Sequence, residues 1–201
     1  MIFNTLPDVE RAAAYAARVW VHDMYFKSPL DDGAVPVPMS VYEGHVPMYQ
    51  AGEMGSAPKA PSIAIRAQSA SWKHEFGEVH LNFAILTWND DLSRRGYRDV
   101  ENVAWRLNQG VYEARGLPPV TENSDGSFTM GRGNLFQLTD HPTTFELIED
   151  PAVDFFPYFI GVFAAVFSVP TPEPDEAVWN ELVNPSFTVS IPTPPAPQPH
   201  R

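Results

Sequence analysis

EFGEVHLNFAILTWNDDLSRRGYRDVENVAWRLNQGVYEARG, residues 75–116, contains one strand followed by one helix, because its hydrophobic period changes midway. From Glu75 to Trp88 the apolar residues alternate, so Val79, Leu81, Phe83 and Ile85 share one side of an extended chain. From Arg94 to Arg115 the period becomes helical. Val100, Val103, Ala104, Leu107 and Val111 recur at three- and four-residue steps and form one apolar stripe, and Gly116 with Pro118 and Pro119 supplies a stop. A strand that leads into an amphipathic helix needs a sheet for the helix to cover.

Working outward, Ser62 to Gln68 reads as a strand preceding the first one. Leu135–Leu138 and Thr143–Ile148 read as a strand or a bent hairpin, and Pro157 to Val169 as a final apolar strand. Pro7 to about Tyr25 reads as a helix, with Asp8 and Glu10 near its positive end and an alanine-rich body. The order helix, two strands, helix, two or three strands predicts an α+β domain: an antiparallel sheet of about four strands with two helices on one face. The expected boundaries are a domain over 1–174, within which 28–61 is a long proline-rich loop or arm with a short strand near Met39–Glu43, and a proline-rich C-terminal arm over 175–201. In that arm Phe187–Ile191 alternates like a short strand, which suits addition to a neighbouring sheet edge as well as a disordered tail.

The final strand is apolar on both sides. Tyr158, Ile160, Val162 and Val166 lie on one side and Phe159, Phe163 and Phe167 on the other. One helix layer covers only one side, so the other is expected to pack on another subunit, under an arm or beneath the chain's own loops. Phe159, Phe163 and Phe167 are the candidate interface residues of this strand.

Composition excludes several kinds of chemistry. The 201 residues include no cysteine, which removes disulfides, thiolate nucleophiles and cysteine-based metal sites. The six histidines (His22, His45, His74, His80, His141, His200) show no metal-binding helical spacing, although His74 and His80 would meet if the strand start bends. The paired acids Asp90-Asp91, Glu149-Asp150 and Asp175-Glu176 fall at strand ends or in the tail, where solvated turn acids are ordinary. Gly131-Arg132-Gly133 is too short for a phosphate loop, and no GxSxG elbow occurs. No catalytic residue, cofactor or metal is therefore predicted, and the chain is not read as an enzyme.

Net charge is −12, which opposes attraction to nucleic acid and to anionic membranes. The segment 155–169 is too short to span a bilayer as a helix, and the N-terminal residues lack a secretory pattern, so the chain is expected to stay in the cytosol. From 134 to 199 there is no Lys or Arg, whereas Arg94, Arg95, Arg98, Arg106 and Arg115 cluster on the helix of 94–115 against Asp99, Glu101 and Glu113. Arg94 and Arg95 sit at a helix N-terminus, where the macrodipole disfavours cations. Arg94, Arg95 and Arg98 are thus candidates for a charged contact with an acidic neighbour, and a solvated helix face is the plainer alternative.

Two blocks carry a resemblance: Gly96-Tyr97-Arg98-Asp99-Val100 within residues 84–117, and Pro157-Tyr158-Phe159-Ile160-Gly161 within residues 145–174. In order and spacing they resemble the tail-terminator and tail-completion proteins of long-tailed bacteriophages, over roughly Ser62 to Pro174. The family often has Asn-Gln where this chain has Arg94-Arg95, and the proline-rich arms have no counterpart. The resemblance implies a structural virion subunit, assembled in the host cytoplasm, that forms a homo-oligomeric ring, commonly a hexamer, on the head-proximal end of the tail tube. Its partners would be the major tail tube protein and a head-completion or stopper protein, with genomic DNA passing as cargo. Another neck or baseplate adaptor, or a soluble small-ligand-binding α+β protein, remains the alternative.

Overall fold

The computed structural model describes residues 6–30, 35–48, 57–72, 76–91, 95–123, 128–131, 133–149 and 155–170. All of them belong to one compact unit, Met1–Thr171. The Pro-rich arm, Phe187–Ile191 included, lies outside the described residues.

Two helices and eleven strands follow in the order α1 (Leu6–Trp20), β1 (Tyr25–Phe26), β2 (Val37–Pro38), β3 (Ser40–Glu43), β4 (Ser62–Trp72), β5 (Phe76–Trp88), α2 (Gly96–Ala114), β6 (Gly116–Leu117), β7 (Val120–Glu122), β8 (Phe128–Met130), β9 (Phe136–Leu138), β10 (Thr144–Leu147) and β11 (Tyr158–Pro170). The fold is α+β, and its main sheet has seven strands rather than about four. The sheet runs β3-β4-β5-β11-β9-β6, with β10 also paired to β11. β5 and β11 pair antiparallel along their whole lengths, from Tyr158 opposite Trp88 to Pro170 opposite Phe76.

The extra strands have physical causes. β11 spans 13 residues, roughly 40 Å of extended chain, so two short strands fit end to end along its free edge. β10 pairs at Gly161–Ala164 and β9 at Phe167–Ser168. The chain does not stop after α2 but pairs at once as β6 with β9. The left-handed residue that ends the helix is Arg115 (φ 57°), whose N–H donates to the Val111 carbonyl, and not Gly116. In the 28–61 stretch the short strand expected near Met39–Glu43 is β3, which lies parallel to β4, and one strand was not expected, β2, which pairs with β1. Between α2 and β9, β8 (Phe128–Met130) pairs with β7, a pairing that was not expected.

Both helices lie on one face of the main sheet. Val79, Leu81, Phe83 and Ile85 of β5 point into that layer with Val100, Val103, Leu107 and Val111 of α2 and Val9, Ala12, Ala13 and Ala17 of α1. A bulge between Ala67 and Ser69 shifts the register of β4, so Ala70 returns to the face that Ala67 uses.

β11 meets α2 without a spacer at two points. A methyl group on Gly96 would overlap the Phe159 ring, and one on Gly161 would lie 2.6 Å from Cγ1 of Val100. Gly161→Ala should cost about 1–3 kcal/mol of stability in a urea titration. Combining it with Val100→Ala, which removes the nearest obstruction and leaves Phe145 Cε2 at 2.9 Å, should give a double mutant that loses less than the sum of the separate losses.

Candidate functional site

Gly96-Tyr97-Arg98-Asp99-Val100 opens α2, and Pro157-Tyr158-Phe159-Ile160-Gly161 opens β11. The fold packs the two blocks against each other. The Tyr97 and Phe159 rings meet edge to face with centroids 4.7 Å apart, and Phe156 adds a second edge contact at 6.3 Å. Asn89, between β5 and α2, ties the blocks together: its N–H donates to the Pro157 carbonyl (2.9 Å), and its side-chain amide donates to Asp99 (3.2 Å). Thr87 Oγ1 donates to the Gly96 carbonyl (3.3 Å). These residues form a packing joint.

The arginine group does not form a single patch. Arg94 lies outside the described residues. Arg95 is exposed and its Nε is 3.8 Å from an Asp91 carboxylate oxygen, while Arg98 is exposed with no ion pair among the described residues. Arg106 instead joins α2 to the end of α1, donating from Nη2 to both carboxylate oxygens of Asp23 at 2.7 and 2.5 Å. That hydrogen bond holds the Asp23 carboxyl below its usual range. Arg115 is at the opposite end of a 19-residue helix, roughly 28 Å away from Arg95.

Phe159, Phe163 and Phe167 are only 3%, 2% and 0% exposed and belong to the chain's own core under the helices. They have no free surface for a neighbour, which corrects the expectation that they form a subunit interface. The physical reason is register: they share a face with the β5 residues that α2 covers. The other face of β11 is divided. At one end Tyr158 and Ile160 pack with Leu86, Trp88, Ala60 and Val46, so the chain's own Val46 and Ala60 lie against them. Farther along, Val162, Ala64, Ala84, Asn82, Arg66 and His45 line an open groove of about 580 Å³.

Asp90 and Asp91, between β5 and α2, are tied into hydrogen bonds. Asp90 accepts a 2.7 Å hydrogen bond from Lys27, which lowers its pKa, and the Asp91 N–H donates to Asn89 Oδ1 in the same turn. Asp150, Asp175 and Glu176 lie outside the described residues, as do His74, His200 and Arg132. His80 has His141, not His74, as its described neighbour (ring centroids 6.3 Å), and His141 is 4.0 Å from Glu78. Among the described residues no group of three or more His, Asp or Glu side chains is placed to hold a metal ion, and no helix is long and apolar enough to cross a membrane.

Sequence reasoning passed over one flank. On the side of α2 away from the core, Trp105 is 64% exposed and Tyr112 48%, and Phe145 of β10, which shares a groove with Trp105, is 40% exposed. Glu101, Ala104, Trp105 and Asn108 face Thr143, Thr144 and Phe145 across a groove of about 360 Å³ with Phe163 at its base. The available signal was an aromatic pair seven residues apart, off the apolar stripe of the same helix.

No protein-family profile matches the chain, and no curated protein is significantly similar to it.

Asp99 gives a pH test of the joint. Burial, partly offset by the Asn89 hydrogen bond, raises its carboxyl above the ordinary value. The folded chain therefore takes up this proton at higher pH than the unfolded chain, so ionised Asp99 lowers stability above its folded pKa and the penalty fades as pH falls through it. Asp99→Asn should be more stable than wild type near neutral pH in denaturant titrations, with the gap closing in acid.

Proposed function

We propose that this chain is a structural subunit that acts by assembly: it forms a ring on the head-proximal end of a phage tail tube, ends tube polymerisation and presents a surface to a head-completion or stopper protein. The observation that carries this reading is the α2–β11 joint. The two blocks that resemble tail terminators are distant in sequence, yet they are the two halves of one packing contact. Motifs explained by packing require a fold to be kept, and they require no reaction.

The surface chemistry supports the same reading. Asp140, Glu146 and Glu149 are exposed, and net charge is strongly negative. An acidic conduit repels the DNA backbone and lets a genome pass without holding it. Exposed Arg95 and Arg98 then serve as the cationic side of a head-to-tail contact with acids of the adjacent subunit.

The groove of about 580 Å³ favours a second reading, a small-ligand-binding protein, because His45, Arg66, Gln68 and Asn82 rim an apolar floor of Ala64, Ala84 and Val162. A neck or baseplate adaptor is the variant within the first class. A terminator stays on the tail of a headless particle, and a head-completion protein stays with the capsid.

Reversing both charges, Arg95→Glu with Arg98→Glu, should weaken ring formation in low salt, read as mass by light scattering, and high salt should narrow the difference from wild type. A double mutant that assembles as wild type does would remove the electrostatic contact from the proposal.

A further inference from the structure

α2 and β10 present a flank that is complementary to itself. Along the outside of α2, Arg98, Trp105 and Tyr112 recur every seven residues, so each lies about 20° around the helix from the next. All three are exposed. β10 runs antiparallel beneath them: Leu147 pairs with Gly161, which lies against Val100; Phe145 pairs with Phe163, beside Trp105; and Thr143 Oγ1 donates to Asn108 Oδ1 at 2.7 Å.

The strand path of this sheet ends at β3 and at β6, and β10 lies off it on the free edge of β11; the β3 and β10 edges differ. At β3 the edge is covered, since Arg18 of α1 donates to the Val41 carbonyl (3.2 Å) and Arg11 lies 3.8 Å from Glu43. At β10 no further strand follows among the described residues, and Thr144, Phe145 and Glu146 are exposed. An uncovered edge beside exposed Trp and Phe is unlike the usual protected edge.

We propose that this flank pairs with the same flank of a second copy, β10 against β10, about a two-fold axis at Phe145. Such a pairing keeps sheet faces aligned, so Phe145 lies opposite its own copy, and Glu146 lies opposite Thr144 of the second copy instead of another carboxylate. The two β11 strands are then three strand spacings apart, about 14 Å. That exceeds the 8–10 Å of direct helix packing, so the two α2 helices leave a gap for large side chains. Two Trp105 rings, one from each copy, fill it at the axis. Seven residues to either side, Arg98 of each copy meets Tyr112 of the other, a cation over an aromatic face. Self-complementarity of this kind specifies a second copy of this chain in preference to an unrelated partner.

A two-fold contact closes at two chains, whereas a ring needs a head-to-tail contact. This flank shares only Arg98 with the proposed ring contact, so the two contacts would compete for that residue, and the inference stands whether or not the chain caps a tube.

The test is the mass of the full chain by light scattering across concentration. Wild type should move from the 22.4 kDa chain mass toward twice that value as concentration rises, or give larger species built from pairs. Trp105→Ala with Tyr112→Ala should weaken pairing about tenfold or more, and Trp105→Arg, which sets two like charges on the axis, should abolish it. Trp72→Ala, similarly exposed on β4, should pair as wild type does. A wild-type chain that stays single into the millimolar range, or Trp105 variants that pair as tightly as wild type, would overturn the proposal.

Discussion

The structure depends on how closely α2 approaches β11. Glycine at 96 and 161 lets the helix rest directly on Phe159 and lets Val100 reach the strand backbone. With the helix set there, the stripe from Val100 to Val111 falls over Phe83, Phe163 and Leu81, and all of these are buried. Burying one phenylalanine of this kind stabilises a fold by about 1.5–3 kcal/mol, so a shift of the helix that uncovers two would remove much of an ordinary domain's stability. The end of β5 is held by the same joint, because Asn89 bonds to both motif blocks.

Much of this was legible in the sequence where one element carries one period. β5 and α2 are strongly periodic, and their boundaries fall within about two residues of the expected ones. The short strands were legible only in part: β3 and β10 fall where strands were expected, but β6 and β7 hold two and three residues and exist only through their partners. Nothing within Gly116-Leu117 distinguishes a strand from the end of a helix until β9 lies beside it. Strand length mattered too: the full reach of β11 is what lets β9 and β10 share one edge.

The candidate site was legible only in part. Alternation separated Phe159, Phe163 and Phe167 from Tyr158, Ile160 and Val162, but it does not say which side the helices cover. The register with β5 decides that, and it places the phenylalanines inside. Composition grouped the arginines of α2, yet a helix distributes them along its length, and Arg106 is committed to Asp23. What remains at the surface is a pair of exposed arginines at the start of α2, the exposed Trp105, Tyr112 and Phe145, and a groove on the helix-free face.

The most direct test of an account based on assembly is electron microscopy of the full chain mixed with polymerising tail tube protein from the same particle. The account predicts closed rings of this chain at one end of the tubes and an end to further tube growth. Tubes that lengthen to the same extent with and without the chain, and carry no ring at either end, would contradict it.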